Sequence, residues 1–111
     1  VWVKLDDGFA DHPKVARLSN EAFRLHVMAL CYCARFLTDG VVPDVVTHRY
    51  RRAIPSLIDA GLWSAIEGGG GYAIHDWGEW NPTAEQVQHR RKAEAERQAR
   101  MRVSRRDSRQ A

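Results

Sequence analysis

The sequence predicts a mainly α-helical chain with a small β-hairpin, and three observations carry that prediction. Residues 21–40, "EAFRLHVMALCYCARFLTDG", place Phe23, Val27, Leu30, Ala34 and Leu37 at three- and four-residue intervals, the period of an amphipathic helix. Two strand-like runs, "LWSAIE" and "YAIHDW", flank "GGGG" at 68–71, where glycine supplies the positive φ values a tight turn needs. Thr83 and Gln86, three apart, form a capping-box pair at the head of an Arg/Ala/Glu-rich run.

The elements follow in chain order. "VWVKL" (1–5) alternates β-branched or aromatic residues with a polar one, which suits a short strand or an extended arm packed on the body. Asp11 and Pro13 predict a short helix at roughly 12–18, with proline in its first turn. Ser19 or Asn20 caps the long helix, and Glu21 in its first turn complements the positive end of the macrodipole. His26 sits beside the apolar stripe, as a histidine satisfied at the edge of the core rather than a ligand. Gly40 ends this helix and "VV" makes a short extended piece. "PDVVTHRYRRA" is a further helix with Arg49, Arg51 and Arg52 near its end. "PSLIDA" restarts a helix that Gly61 closes ahead of the hairpin. The last helix begins near residue 83. Its apolar residues, Val87, Met101, Val103 and scattered alanines, make no stripe, so it is expected to be solvated and to fray toward "VSRRDSRQA". Two domains result: 1–81, and a basic, largely solvated helix with a frayed tail at 82–111.

At 111 residues, 44% hydrophobic and 28% charged, the chain has room for one modest core and reads as globular. No stretch approaches eighteen consecutive apolar residues and no leader resembles a signal peptide, so neither a membrane span nor export is expected and the location is read as cytoplasmic. Cys31 and Cys33, two apart on a helix, point to nearly opposite sides; they neither bridge nor share a metal, and read as reduced, packed thiols. The net charge of +3 is unevenly spread. Residues 1–81 hold eight Lys/Arg against ten Asp/Glu, and residues 82–111 hold nine against four, so a mildly acidic body carries a basic tail that points to a polyanion partner.

"HDWGEW" places His75, Asp76 and Glu79 among tryptophans. In a strand His75 and Trp77 share one face and Asp76 the other, so the carboxylate aims away from its histidine neighbour. Neither zinc-ligand spacing, a Gly-x-Ser-x-Gly elbow nor a phosphate loop occurs, so no metal, cofactor or catalytic residue is assigned. The segment reads as a hairpin exit in which Trp63, Trp77 and Trp80 cover the core, with His75 or Asp76 fixing the junction to the last helix.

Helix, helix, short strand, helix, helix and glycine-tipped hairpin is the order of a winged helix-turn-helix. "WVKLDDGFADHPKV", "AFRLHVMALCYCARFLTDGVVP", "LIDAGLW" and "YAIHDWGEWNP" resemble the small winged-helix proteins of actinobacterial phages and prophages, similar in architecture to the N-terminal domains of phage replisome organisers and DnaD-like initiators. The resemblance covers roughly residues 2–82, and it implies double-stranded DNA binding in phage replication initiation or transcriptional control, without enzymatic activity.

"PSLIDAGLW" carries no basic residue, and its single charge is Asp59, so contacts to DNA are expected from its surroundings. These are His48, Arg49, Arg51 and Arg52 before it, Ser56 at its start, and the backbone at Gly69 and Gly70. The arginine group is equally readable as a solvated helix end that complements the dipole. In the last helix Arg90, Arg91, Lys92, Arg97 and Arg100, followed by four more arginines, form a candidate phosphate-binding surface; Lys92–Glu96 and Glu96–Arg100 pairs are the competing internal use of that charge. The alternative function is a protein-interaction module that docks on a replication or transcription protein. Homodimers are common among winged helices, although no dimerisation stripe is visible.

Overall fold

The computed structural model describes residues 2–110, save the side chains of Glu79, Trp80 and Gln110. The chain divides into two compact units, Val1–Asn81 and Pro82–Ala111. The first is mainly helical around a three-stranded antiparallel sheet; the second is one helix.

In the first unit α1 (Pro13–Ala16) is shorter than predicted and starts on His12, whose Nδ1 accepts from the Lys14 amide, with Pro13 in the first turn. Helix α2 (Asn20–Phe36) is capped by Ser19, whose Oγ accepts from the Ala22 amide at 3.2 Å. It stops four residues before Gly40, because Leu37, Asp39 and Gly40 all take positive φ and turn the chain back. Gly40 is required there: a Cβ on it would stand 2.8 Å from the Cβ of Trp77.

The buried face of α2 is not the predicted one. Ala22, Leu25, His26, Ala29, Leu30 and Cys33 are buried, while Phe23 is 37% exposed and Val27, Ala34 and Leu37 are half-buried. The inward face is rotated by about a quarter turn from the stripe of larger side chains. The small residues Ala22 and Ala29 let neighbouring elements approach the helix, and Phe23 packs sideways on Phe9, ring centroids 5.9 Å apart. Cys31 is exposed and Cys33 buried, so only one of the two thiols is packed; burial pushes the Cys33 thiol up from its ordinary pKa and keeps it protonated.

The sheet has strand order β1 (Val41–Val42), β3 (Tyr72–Ile74), β2 (Trp63–Ala65). Thus "VV" joins the predicted hairpin as a third strand, with Val41 opposite Ala73 and Val42 opposite Tyr72. In the hairpin Trp63 faces Ile74 and Ala65 faces Tyr72. Gly71 has φ +104, and a Cβ there would collide with the Val42 carbonyl, so the last glycine of the four is set by close packing of β1 as well as by the turn. The strand ends at Ile74; Asp76 takes a left-handed conformation (φ 58) and starts the short helix α5 (Trp77–Trp80). The alternation assumed for His75–Trp77 therefore does not apply.

Val42, Ala53, Ile54, Leu57, Trp63, Ile74 and Trp77 complete the core against α2. The "VWVKL" strand does not form: residues 2–6 are irregular, Trp2 is 93% exposed, and Val3 packs on the core. Val1, where that expectation began, lies outside the described residues.

In the second unit α6 (Ala84–Gln110) opens on the predicted capping box. The Thr83 amide donates to Gln86 Oε1 at 2.9 Å and the Gln86 amide donates to Thr83 Oγ1 at 3.1 Å. The helix extends through the segment expected to fray, as far as Gln110. Alanine, arginine and glutamine are good helix formers, and their summed propensity holds the helix without an apolar stripe.

Candidate nucleic-acid interface

Residues 43–53 do not form the single helix expected. Helix α3 (Asp44–Thr47) is followed by a 3-10 segment (His48–Ala53) kinked at Tyr50 (φ −121, ψ 27), and then by α4 (Ile54–Asp59). A 3-10 helix has three residues per turn, so side chains three apart share a face. Thr47 and Ala53 are buried and Tyr50 is half-buried, which makes 47, 50 and 53 the inner row. The Thr47 hydroxyl is satisfied by donating to the Asp44 carbonyl at 2.9 Å. His48, Arg49, Arg51 and Arg52 occupy the two remaining rows, and all four are exposed.

Arg49 lies over the Tyr50 ring at 5.6 Å from its centroid, and Arg24 of α2 approaches the same ring at 5.9 Å. Arg24 therefore joins the basic patch, which sequence reasoning missed. It stands 26 residues away in the chain, and only the packing of α2 on the 3-10 segment brings it in. Both guanidiniums stay exposed while attracted to the face of the same ring.

Helix α4 turns Ile54 and Leu57 inward and exposes Pro55, Ser56, Ile58 and Asp59. Ser56 is thus accessible on a face whose one charge is negative. At the hairpin tip Gly68, Gly69 and Gly70 are exposed, and the first two have open space where a side chain would be. The Gly69 amide already donates to the Ile66 carbonyl at 3.3 Å, so it is engaged in the turn.

On α6, Arg90, Arg91, Lys92, Arg97 and Arg100 are all exposed. Arg97 is committed to an ion pair: its Nη2 and Nε reach the Glu94 carboxylate at 2.6 and 3.1 Å. That bond holds the Glu94 carboxyl below and the Arg97 guanidinium above their ordinary pKa values. The pairs expected at Lys92–Glu96 and Glu96–Arg100 do not form among the described residues. Glu94 instead holds both Arg97 and, at 3.4 Å, the Gln98 side-chain amide.

His75 and Asp76 are exposed, and the backbone fixes this turn, with the His75 amide donating to Leu62 O at 2.9 Å. Among the described residues no group of three or more His, Cys, Asp or Glu stands close enough to hold a metal ion. His26 is a core residue rather than an edge one. It is 3% exposed, stacked on Phe9, and its Nδ1 accepts from the Trp63 indole N–H at 3.0 Å. Burial lowers its pKa to about 4, so the ring is neutral with its proton on Nε2.

Among the described residues no helix is long and apolar enough to cross a membrane. Comparison of the chain with family models, curated proteins and solved structures returns no match.

Proposed function

We propose that this chain is a winged helix-turn-helix protein that binds double-stranded DNA, of phage or prophage origin, and acts in replication initiation or transcriptional control rather than in catalysis. The observation that carries the reading is an arrangement. Helices α2, α3 and α4, with β1 between the first two, precede the β2–β3 hairpin with its open glycine tip, β1 pairs with β3, and the segment leading into α4 turns His48, Arg49, Arg51 and Arg52 outward. In that architecture α4 is the helix offered to DNA, the glycine tip is the wing, and the basic segment grips phosphates at their side. The resemblance of residues 2–82 to small winged-helix proteins of actinobacterial phages and prophages supports the biological setting.

Fluorescence anisotropy with duplex DNA, on the full chain and on a version ending at Asn81, tests the proposal. Salt-sensitive binding that persists in the shortened chain is the expected result. In the full chain, replacing Arg51 and Arg52 with alanine is expected to lower the slope of log K against log salt by about 1.8, two phosphate contacts at about 0.9 each. Unchanged binding by that double variant would move the contact away from Arg51 and Arg52.

The exposed face of α4 favours a second reading. Pro55, Ser56, Ile58 and Asp59 offer no cation to a phosphate or a guanine edge. A protein-docking module would use such a face, and recovery of one stoichiometric partner after nuclease treatment would select that reading.

A further inference from the structure

The basic residues of α6 are sorted by face, which their spread along the sequence conceals. At about 100° per residue, Arg91, Arg102, Arg105, Arg106 and Arg109 fall within an arc of about 100°. No acidic residue of the helix lies in that arc. Glu85, Glu96 and Asp107, spaced by eleven, line up on another face, and Glu94 is occupied by Arg97. Arg90, Arg97 and Arg100 stand outside the arc, on the flank that includes the Glu94 pair. Dipole complementarity accounts for arginines near the C-terminus of a helix, but it selects no face.

We infer that this arginine row on α6 is a second DNA-contacting surface, laid along the phosphates that border one major groove, in addition to the contact proposed for the first unit. The inference rests on the chain being a duplex-DNA binder. From Arg91 to Arg109 is eighteen residues, about 27 Å along the helix. That spans about eight base-pair steps at roughly 3.4 Å each. A helix with its side chains is about 10–12 Å across, which the major groove of B-DNA admits and the deep, narrow groove of A-form RNA does not. Between Arg91 and Arg102 the arc carries Ala95 and Gln98, small or polar residues that allow close approach to the groove floor. A membrane surface is the less suitable polyanion. An interfacial helix needs a face of large apolar residues, whereas this arc holds Val87 alone among them, with Met101 and Val103 on other faces.

The test compares two full-length triple variants of equal charge change: Arg91→Gln with Arg102→Gln and Arg109→Gln, against Arg90→Gln with Arg97→Gln and Arg100→Gln. Glutamine keeps the helix, which circular dichroism verifies. Binding to a 20-base-pair duplex is read across salt concentrations, beside the Arg51/Arg52 double variant and beside anionic phosphatidylserine vesicles. The row triple is expected to lose about 2.7 from the salt slope, three contacts at about 0.9 each, and the flank triple less than about 1. Equal losses would reduce α6 to net charge and overturn the inference. An unchanged row triple alongside a weakened Arg51/Arg52 variant would overturn it while leaving the proposed function standing. Binding to vesicles but not to duplex by the unmodified chain would overturn both. Loss in the row triple with none in the Arg51/Arg52 variant would keep the inference and move the principal contact to α6.

Discussion

The two units reach order by opposite routes. The first is held by contacts between residues far apart in the chain: Trp63 against His26, Val42 and Tyr72 across the sheet, and Gly40 against Trp77. In α6 the hydrogen bonds are between neighbours, Thr83 with Gln86 and Glu94 with Arg97 and Gln98. A packed core aims a few basic residues from fixed backbone. A propensity-driven helix instead presents charge along its length, on whichever face the spacing of arginines selects. The contrast predicts that damage to the core spreads through the first unit, whereas damage to α6 stays near the substituted residue.

Trp63→Ala is the largest expected break. Trp63 is 1% exposed, and truncating a buried aromatic to alanine costs about 3–5 kcal/mol. It also leaves His26 Nδ1 buried without its donor, which adds to the loss. Denaturant melts followed by near-ultraviolet dichroism should show the tertiary signal of the first unit collapse, with the helical signal of α6 surviving at 222 nm. Simultaneous loss of both signals would erase the contrast between core-held and locally held structure.

The same contrast sets what was legible in the sequence. The capping box of α6 and the Ser19 cap of α2 were readable because both ends of each hydrogen bond lie within three residues. The hairpin was readable from its glycines and flanking runs. The buried face of α2 was not, because the crowding of its neighbours admits Ala22, Ala29 and His26 inward and leaves Phe23 at the edge. Nor was the 3-10 turn at 48–53, where three residues per turn rather than 3.6 decides that all four basic side chains face out. Arg24 required the packing of α2 on Tyr50. The start of α6 and its run through the Arg/Ala/Glu-rich segment were legible from the capping box and from summed helix propensity.

Acid should separate the units next. His26 binds its proton near pH 6.5 when unfolded and only near about 4 when folded. Between those values the unfolded chain holds more protons, so the stability of the first unit falls as pH falls, by about 1.4 kcal/mol per pH unit at most. The contribution is fully present above about pH 6.5, and its loss is complete once the folded ring also protonates. Chemical denaturation of the first unit at a series of pH values should show this slope, and His26→Gln should flatten it. An equal slope in both proteins would assign the acid sensitivity to carboxylates instead.

The smallest and most local break is Thr83→Ala. It removes the acceptor for the Gln86 amide and leaves the Gln86 side chain bonded to the residue 83 amide without its reciprocal partner. Loss of a threonine N-cap costs about 1 kcal/mol. In a helix of 27 residues, that cost is concentrated in the first turn, because each later residue is held by bonds to its own neighbours. Amide exchange should quicken at residues 84–87 while protection through residues 95–105 stays within a factor of two. If protection fell evenly along α6, the helix would be a cooperative unit like the first, and its arginine row would depend on the cap that starts it.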